Sequence, residues 1–135
     1  MKYRVKSSNK FGSKVVEFEV FENQRRWFGV GWSDSLLPIE RQHYTNEYLK
    51  QCCDTLDSYN FPNLPEMSGL SELSEKHPWK WMDEHWKIDR EFCKGKDPDG
   101  WIYYDNTWGG MSYQDSISKF TRTRRLIRRA LLKLV

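Results

Sequence analysis

Apolar and polar positions alternate through "VVEFEVFE" (15–22), with Val16, Phe18 and Val20 on one side and Glu17 and Glu19 on the other. A period of two over this length predicts a half-buried strand. "WFGVGW" (27–32) alternates as well, setting Phe28, Val30 and Trp32 against Trp27, Gly29 and Gly31. Glycine weakens a strand unless something must approach the backbone closely. Gly29 and Gly31 are therefore expected to clear a lane along the Trp27 face for a flat group from a neighbouring strand. Further on, "YTNEYLKQCCDTL" places Tyr48, Cys52 and Leu56 four apart, which predicts a short helix. Residues 54–78 carry Pro62, Pro65 and Pro78 with serines and acids. They read as a long loop or insertion, with one helical turn around "SGLSELSEK". "WKWMDEHW" (79–86) and "WIYY" (101–104) read as aromatic strands, the second entered from the turn "DPDG" (97–100). The last segment, "KFTRTRRLIRRALLKLV", fits two patterns. As a strand it puts Arg122, Arg124, Leu126, Arg128 and Ala130 on one face. As a helix it gathers Ile127, Ala130, Leu131 and Leu134 into an apolar stripe flanked by arginines, and such a helix would lie on a membrane surface. Thr121, Thr123 and Ile127 favour strand in the front half, and 127–135 stays open between the two.

The pattern makes a mainly β chain of long antiparallel strands, with a short helix or loop insertion around 45–78. A length of 135 residues suits one domain, 1–135. Hydrophobic content is only 38%, while aromatics reach 16% and charged residues 30%. The core must then be built from rings, with much charge beside them. No stretch approaches the roughly 18 apolar residues of a membrane span, and the basic N-terminus lacks the apolar run of a secretory signal. Cys52, Cys53 and Cys93 form no C-x-x-C pair, so free thiols in a reducing compartment are expected. Net charge is uneven: +5 over residues 1–14, −9 over 15–118 and +7 over 119–135. If the basic ends meet in the fold, they make one positive patch on a negative body.

Ten arginines and seven tryptophans make guanidinium–indole stacking the leading structural expectation. Arg25, Arg26, Arg122 and Arg124 are expected to interleave with aromatic planes across strands. Arg128 and Arg129, near a chain end, divide evenly between that ladder and a ligand-facing role. His77, His85 and Cys93 stand eight apart, which matches no zinc spacing. "DPDGW" opens like a calcium loop but has Trp101 at its fifth position and Trp108 at its twelfth, so it reads as a turn. No nucleophile elbow, P-loop or dinucleotide fingerprint is present, and an enzyme is not expected. Strand aromatics beside arginines also suit single-stranded nucleic acid, but an acidic body repels phosphate over most of the surface.

"VEFEVFENQRRWFGVGWSDSLLPIERQHYTNE" resembles the first half of a dysferlin domain. "WKWMDEHWKID", "DPDGWIYYDNTWGG" and "RTRRLIRR" resemble its second half, in the right order. The similarity runs from about Val15 to Arg129 and is nearest the fungal, peroxin-type form and the standalone, sporulation-specific form of yeasts. The resemblance implies a β fold in which Trp27, Trp32, Trp79, Trp81, Trp86, Trp101 and Trp108 join Arg25, Arg26, Arg122, Arg124 and Arg125 at the motif positions. It also implies no catalysis, no cofactor and no small-molecule substrate, but work at an intracellular membrane, the prospore membrane or endoplasmic reticulum. The expected function is that of a cytoplasmic, peripheral adaptor in membrane shaping. It would bind anionic phospholipid through Arg125, Arg128, Arg129 and Lys133, with Lys2 and Arg4 adding, or a membrane-associated protein partner, or both. The alternative is a pure protein-interaction module whose arginines serve only internally; exposure of Arg128, Arg129 and Lys133 separates the two. One departure stands out: the family usually places Trp where this chain has Leu126, so a layer of the ladder is expected to be missing or filled differently.

Overall fold

A computed structural model describes residues 3–8, 13–62 and 78–133, with side chains described from residue 13 onward. Two long strands form the spine: β2 (Lys14–Trp27) and β8 (Thr121–Leu132). They pair antiparallel from Lys14↔Leu132 to Arg25↔Thr121 without a break. β1 (Tyr3–Ser8), β4 (Tyr44–Thr45) and β3 (Gly31–Ser33) line the free edge of β2. β5 (Trp79–Trp81), β6 (Lys87–Ile88) and β7 (Ile102–Tyr104) line the free edge of β8. The result is one eight-stranded antiparallel sheet. Among the described residues the only helical elements are two 3-10 turns, Leu56–Ser58 and Arg90–Cys93.

The alternation in β2 is real, but both of its faces are buried. On one face Phe18, fully buried, is ringed by Tyr59, Phe61, Trp79 and Trp81 at centroid distances of 5.3–5.8 Å. Val16, Val20, Ala130 and Leu132 complete this core, so rings stand where most domains use aliphatics. On the other face Glu17 and Glu19 are buried as well. The strand is thus not half-buried as expected, because arginines cover the side meant for water.

Three other expectations change. No helix forms at 44–56. Instead Tyr44–Thr45 pairs with β2, and Asn46 Oδ1 accepts the N–H groups of Tyr48 and Lys50 at 2.8 and 3.1 Å. Leu49 has φ of 63°, outside helical space, so the four-residue spacing of Tyr48, Cys52 and Leu56 marks a tight turn and the loop beyond it. The proline-rich insertion is described only to Pro62 and from Pro78, and its "SGLSELSEK" turn falls outside the described residues. The open question at 127–135 resolves as strand through Leu132, with Ala130 and Leu132 in the aromatic core, while 134–135 lie outside the described residues.

"WFGVGW" is not a continuous strand either. β2 ends at Trp27, Val30 N–H bonds Trp27 O at 3.1 Å, and β3 begins at Gly31. Gly29 and Gly31 have φ of 76° and 92°, with no atom within 4 Å of where a Cβ would stand. They serve the turn's backbone, and no lane runs beside them. Gly29→Val is still expected to destabilise, by about 1–2 kcal/mol, through left-handed strain at a β-branched residue. Gly29→Asn should cost little. Thermal unfolding of the pair checks this, and equal melting temperatures would show that the turn relaxes.

Candidate functional site

Even-numbered residues of β2 share a face with even-numbered residues of β8, and this register builds the stacking. Arg26 lies 4.5 Å from the Trp32 ring centroid, and Arg122 lies 4.5 Å from Trp32 and 4.0 Å from Trp101. Arg124 then lies 4.4 Å from Trp101. Each guanidinium is also held in its plane by hydrogen bonds. Arg26 pairs with Asp115, Arg122 donates to Gln24 Oε1 at 2.9 and 2.5 Å, and Arg124 donates to Glu22 Oε1 at 2.8 Å. Burial lowers the Arg122 pKa, as expected for a cation taken out of water. Arg128 forms a separate stack, 4.1 Å from Trp81, and donates to the carbonyls of Asp83 and Glu84 at 2.8 Å. Leu126 stands between the two stacks in the position where a Trp was anticipated, buried beside Val20 and Ile88 in register.

The opposite face holds ion pairs. Arg125 donates to Glu19 at 2.8 Å and Asp89 at 2.6 Å, with Glu17 at 3.5 Å. Arg129 is bidentate on Asp83, at 3.1 and 2.9 Å, and its backbone N–H binds the same carboxylate. Those bonds hold Asp83 well below the usual carboxylate range. The basic ends come near one another, since β1 and the last residues of β8 pair with Lys14–Phe18 from its two sides. Among the described side chains of the C-terminal end, however, most of the charge is already engaged. Of the candidate lipid ligands, Arg125 and Arg128 are committed internally, and Arg129 is 46% exposed but paired. Lys133 is exposed, Arg4 sits opposite Glu17 in register, and Lys2 lies outside the described residues.

Several stacking candidates act differently from expectation. Arg25 does not stack; it is 5% exposed, bidentate on Glu40, and donates to Asn106 Oδ1 at 2.6 Å. Trp27 stacks with no guanidinium among the described residues, and its indole N–H donates to Ser35 O at 2.6 Å. Trp79 and Trp86 belong to the aromatic core, Trp79 stacking on Phe61 at 5.1 Å and Trp86 meeting Tyr59 edge-on at 5.1 Å.

Trp108 leads to a site the sequence does not announce. The strand reading covered only its neighbours, yet its ring carries the Arg41 guanidinium at 4.1 Å, with Tyr104 at 5.8 Å. Arg41 has no hydrogen bond or ion pair to any described residue, and burial lowers its pKa. Glu40, next in chain, is already saturated by Arg25, the Leu37 N–H and the Trp108 indole. Burial raises the Glu40 pKa, but those bonds outweigh it and leave the group ionised. Arg41 lies in the wall between two recesses, one of about 150 Å³ and one of about 570 Å³. The larger is rimmed by Leu37, Ile39 and Leu49, all exposed. Trp108 and Leu49 both hold left-handed φ, 65° and 63°, on either side of it. The arrangement is a stacked cation with open donors under an apolar rim, suited to an anionic amphiphile. "PIERQ" carries no periodicity, and only its Pro followed by adjacent opposite charges hinted at a structured loop.

Residues 2–128 match the Pex24p family, described as integral peroxisomal membrane peroxins. The chain is 45% identical over 125 residues to the peroxisomal membrane protein PEX32 of Ogataea parapolymorpha, covering 93% of this chain and 32% of that protein. It is 38% identical to PEX23 of the same yeast, over 84% of this chain and 23% of that one. Against the peroxisomal membrane protein PEX30 of Saccharomyces cerevisiae it is 37% identical, over 87% of this chain and 24% of that one. The chain thus spans about a third or less of the length of these relatives. They correct the dysferlin-domain resemblance: the matching family is Pex24p, so the sporulation-specific assignment falls with it. The motifs that suggested it are the Arg–Trp positions of a β sheet, and such positions carry fold more than function.

Proposed function

The chain belongs to the Pex24p family of peroxisomal membrane peroxins, whose role is membrane-associated, and we propose that its β domain is a non-enzymatic module docking on an anionic membrane surface through the Arg41 cleft. The observation that carries this is Arg41 itself, a stacked cation without a partner among the described residues, beneath exposed Leu37 and Ile39. The basic strand loses its claim as the lipid reader, because Arg125, Arg128 and Arg129 are spent on acids and carbonyls. Lys133 remains as a peripheral contributor. The membrane proposed is peroxisomal, in place of the prospore membrane or endoplasmic reticulum. Among the described residues no helix is long and apolar enough to cross a bilayer, and the domain is proposed to lie on the surface.

Flotation with vesicles of neutral lipid, against vesicles with about 20% anionic lipid, tests this at low and physiological salt. One cation at an anionic surface contributes on the order of 1 kcal/mol, and more when its headgroup is partly desolvated. Arg41→Gln is therefore expected to lower anionic-vesicle binding about five- to tenfold at physiological salt, with thermal unfolding lowered by no more than a few degrees through loss of the Trp108 stack. Lys133→Gln should reduce it less. Binding by Arg41→Gln equal to the parent would overturn the cleft. No binding to any vesicle would instead favour a module recruited by a membrane-bound protein partner.

A further inference from the structure

The turn between β2 and β3 projects from the sheet with its apolar side chains in solvent. Phe28 is 106% exposed and Val30 75%, and Ile117, from the segment before β8, is 92% exposed. These three line one shallow recess with Trp27, Phe120 and, at its base, Arg26, which is paired with Asp115. No charged residue occurs between Arg26 and Asp34. A chain with only 38% hydrophobic residues nevertheless leaves these three among the most exposed of its large apolar groups.

The tip is also held in place. Val30 N–H closes the turn on Trp27 O, β3 pairs back onto β2, and the Trp27 indole N–H bonds Ser35 O at 2.6 Å. Gly29 and Gly31, at φ of 76° and 92°, fold the backbone so that Phe28 and Val30 flank the apex. At its base stand Trp27 and Trp32, the residue type that favours the membrane–water boundary. Charges near the base are already satisfied: Arg26 pairs with Asp115, and Lys119 donates to Gly110 O. Two acids nearby are exposed, Asp115 in its pair with Arg26 and Asp34 with the His43 ring 3.9 Å away.

We propose that this tip inserts into the hydrocarbon edge of a lipid bilayer, as a shallow wedge of Phe28, Val30 and Ile117. This deepens the membrane reading above and rests on it for the membrane, but uses a different surface and no headgroup charge. A bilayer is the occupant because the apolar groups are only three and stand almost wholly in solvent at the end of a turn. A stable protein interface needs roughly 800 Å² per partner and a complementary face, whereas a fluid acyl layer closes around a small wedge. The penetration suits the roughly 5–10 Å of interfacial anchors.

The test separates wedge from headgroup with the full chain and two vesicle types, neutral phosphatidylcholine and the same lipid with about 20% anionic lipid, in roughly 0.5 M salt, where charge is screened. The parent is expected to retain binding to neutral vesicles in high salt. Phe28→Ser with Val30→Ser should weaken it about a hundredfold, roughly tenfold per side chain. Phe28→Leu with Val30→Ile should restore it. Neither pair touches the core, so melting should not move. A chain carrying Phe28→Trp should further show fluorescence quenching by lipids brominated on their acyl chains. Neutral-vesicle binding unaffected by the serine pair, or no quenching, overturns the wedge. If the serine pair instead abolishes self-association in light scattering and leaves vesicle binding intact, the tip is a contact between copies and the wedge is wrong. Retained Arg41-dependent binding to anionic vesicles would then leave the headgroup reading standing.

Discussion

Arg125→Met is expected to lower stability by about 3–5 kcal/mol, the cost of breaking a buried charge cluster by removing one partner. Its side chain is 12% exposed and faces Glu19, Asp89 and Glu17, with side chains 2%, 16% and 9% exposed. Burial works against the Arg125 charge, yet the bonds from Glu19 and Asp89 raise its pKa above the ordinary value. Methionine keeps the aliphatic stem but removes the fork, and buried carboxylates then lose their nearest cation. For a chain this size a melting temperature lower by roughly 10–15 °C follows. Arg125→Lys should recover only part of the loss, since one ammonium cannot reach three acids. A melting temperature within 2 °C of the parent would show that solvent carries these acids.

The cluster also explains what the sequence made legible and what it hid. The alternation of Val16, Phe18 and Val20 predicted β2 correctly, because a period of two is imposed by the backbone itself. It assigned Glu17 and Glu19 to solvent, because composition alone does not tell a charge facing water from one facing Arg125. The arginines of 122–129 were read as divided between stacking and ligand contact. Register resolved this: Arg122 and Arg124 share a face with Trp101, while Arg125 and Arg129 face Glu19 and Asp83. The acids around Arg125 lie 36 to 108 residues away in sequence, a separation that local periodicity does not see. Gly29 and Gly31 were readable as unusual but not as a turn, since alternation of large and absent side chains mimics a strand. Arg41 was invisible for a third reason. Its significance comes from Glu40 being occupied by Arg25 and Trp108, an arrangement of three distant segments.

Trp101→Ala is expected to cost about 3–5 kcal/mol, as for a large ring removed from a close-packed site. The ring is 3% exposed and receives two guanidiniums, at 4.0 and 4.4 Å. Truncation alone does not separate stacking from ordinary burial, so a double-mutant cycle between Trp101→Leu and Arg124→Met is the sharper measurement. Leucine keeps apolar contact and loses the quadrupole that attracts the cation. A coupling of about 0.5–2 kcal/mol is expected, at the upper end because the pair is largely shielded from water. The same cycle between Trp101 and Arg128 should give a value near zero, since Leu126 interrupts the series and Arg128 stacks on Trp81 instead. A coupling between Trp101 and Arg124 no larger than this control would mean that Trp101 acts as bulk alone. In that case Gln24 and Glu22, not the rings, would be what holds Arg122 and Arg124 in their planes.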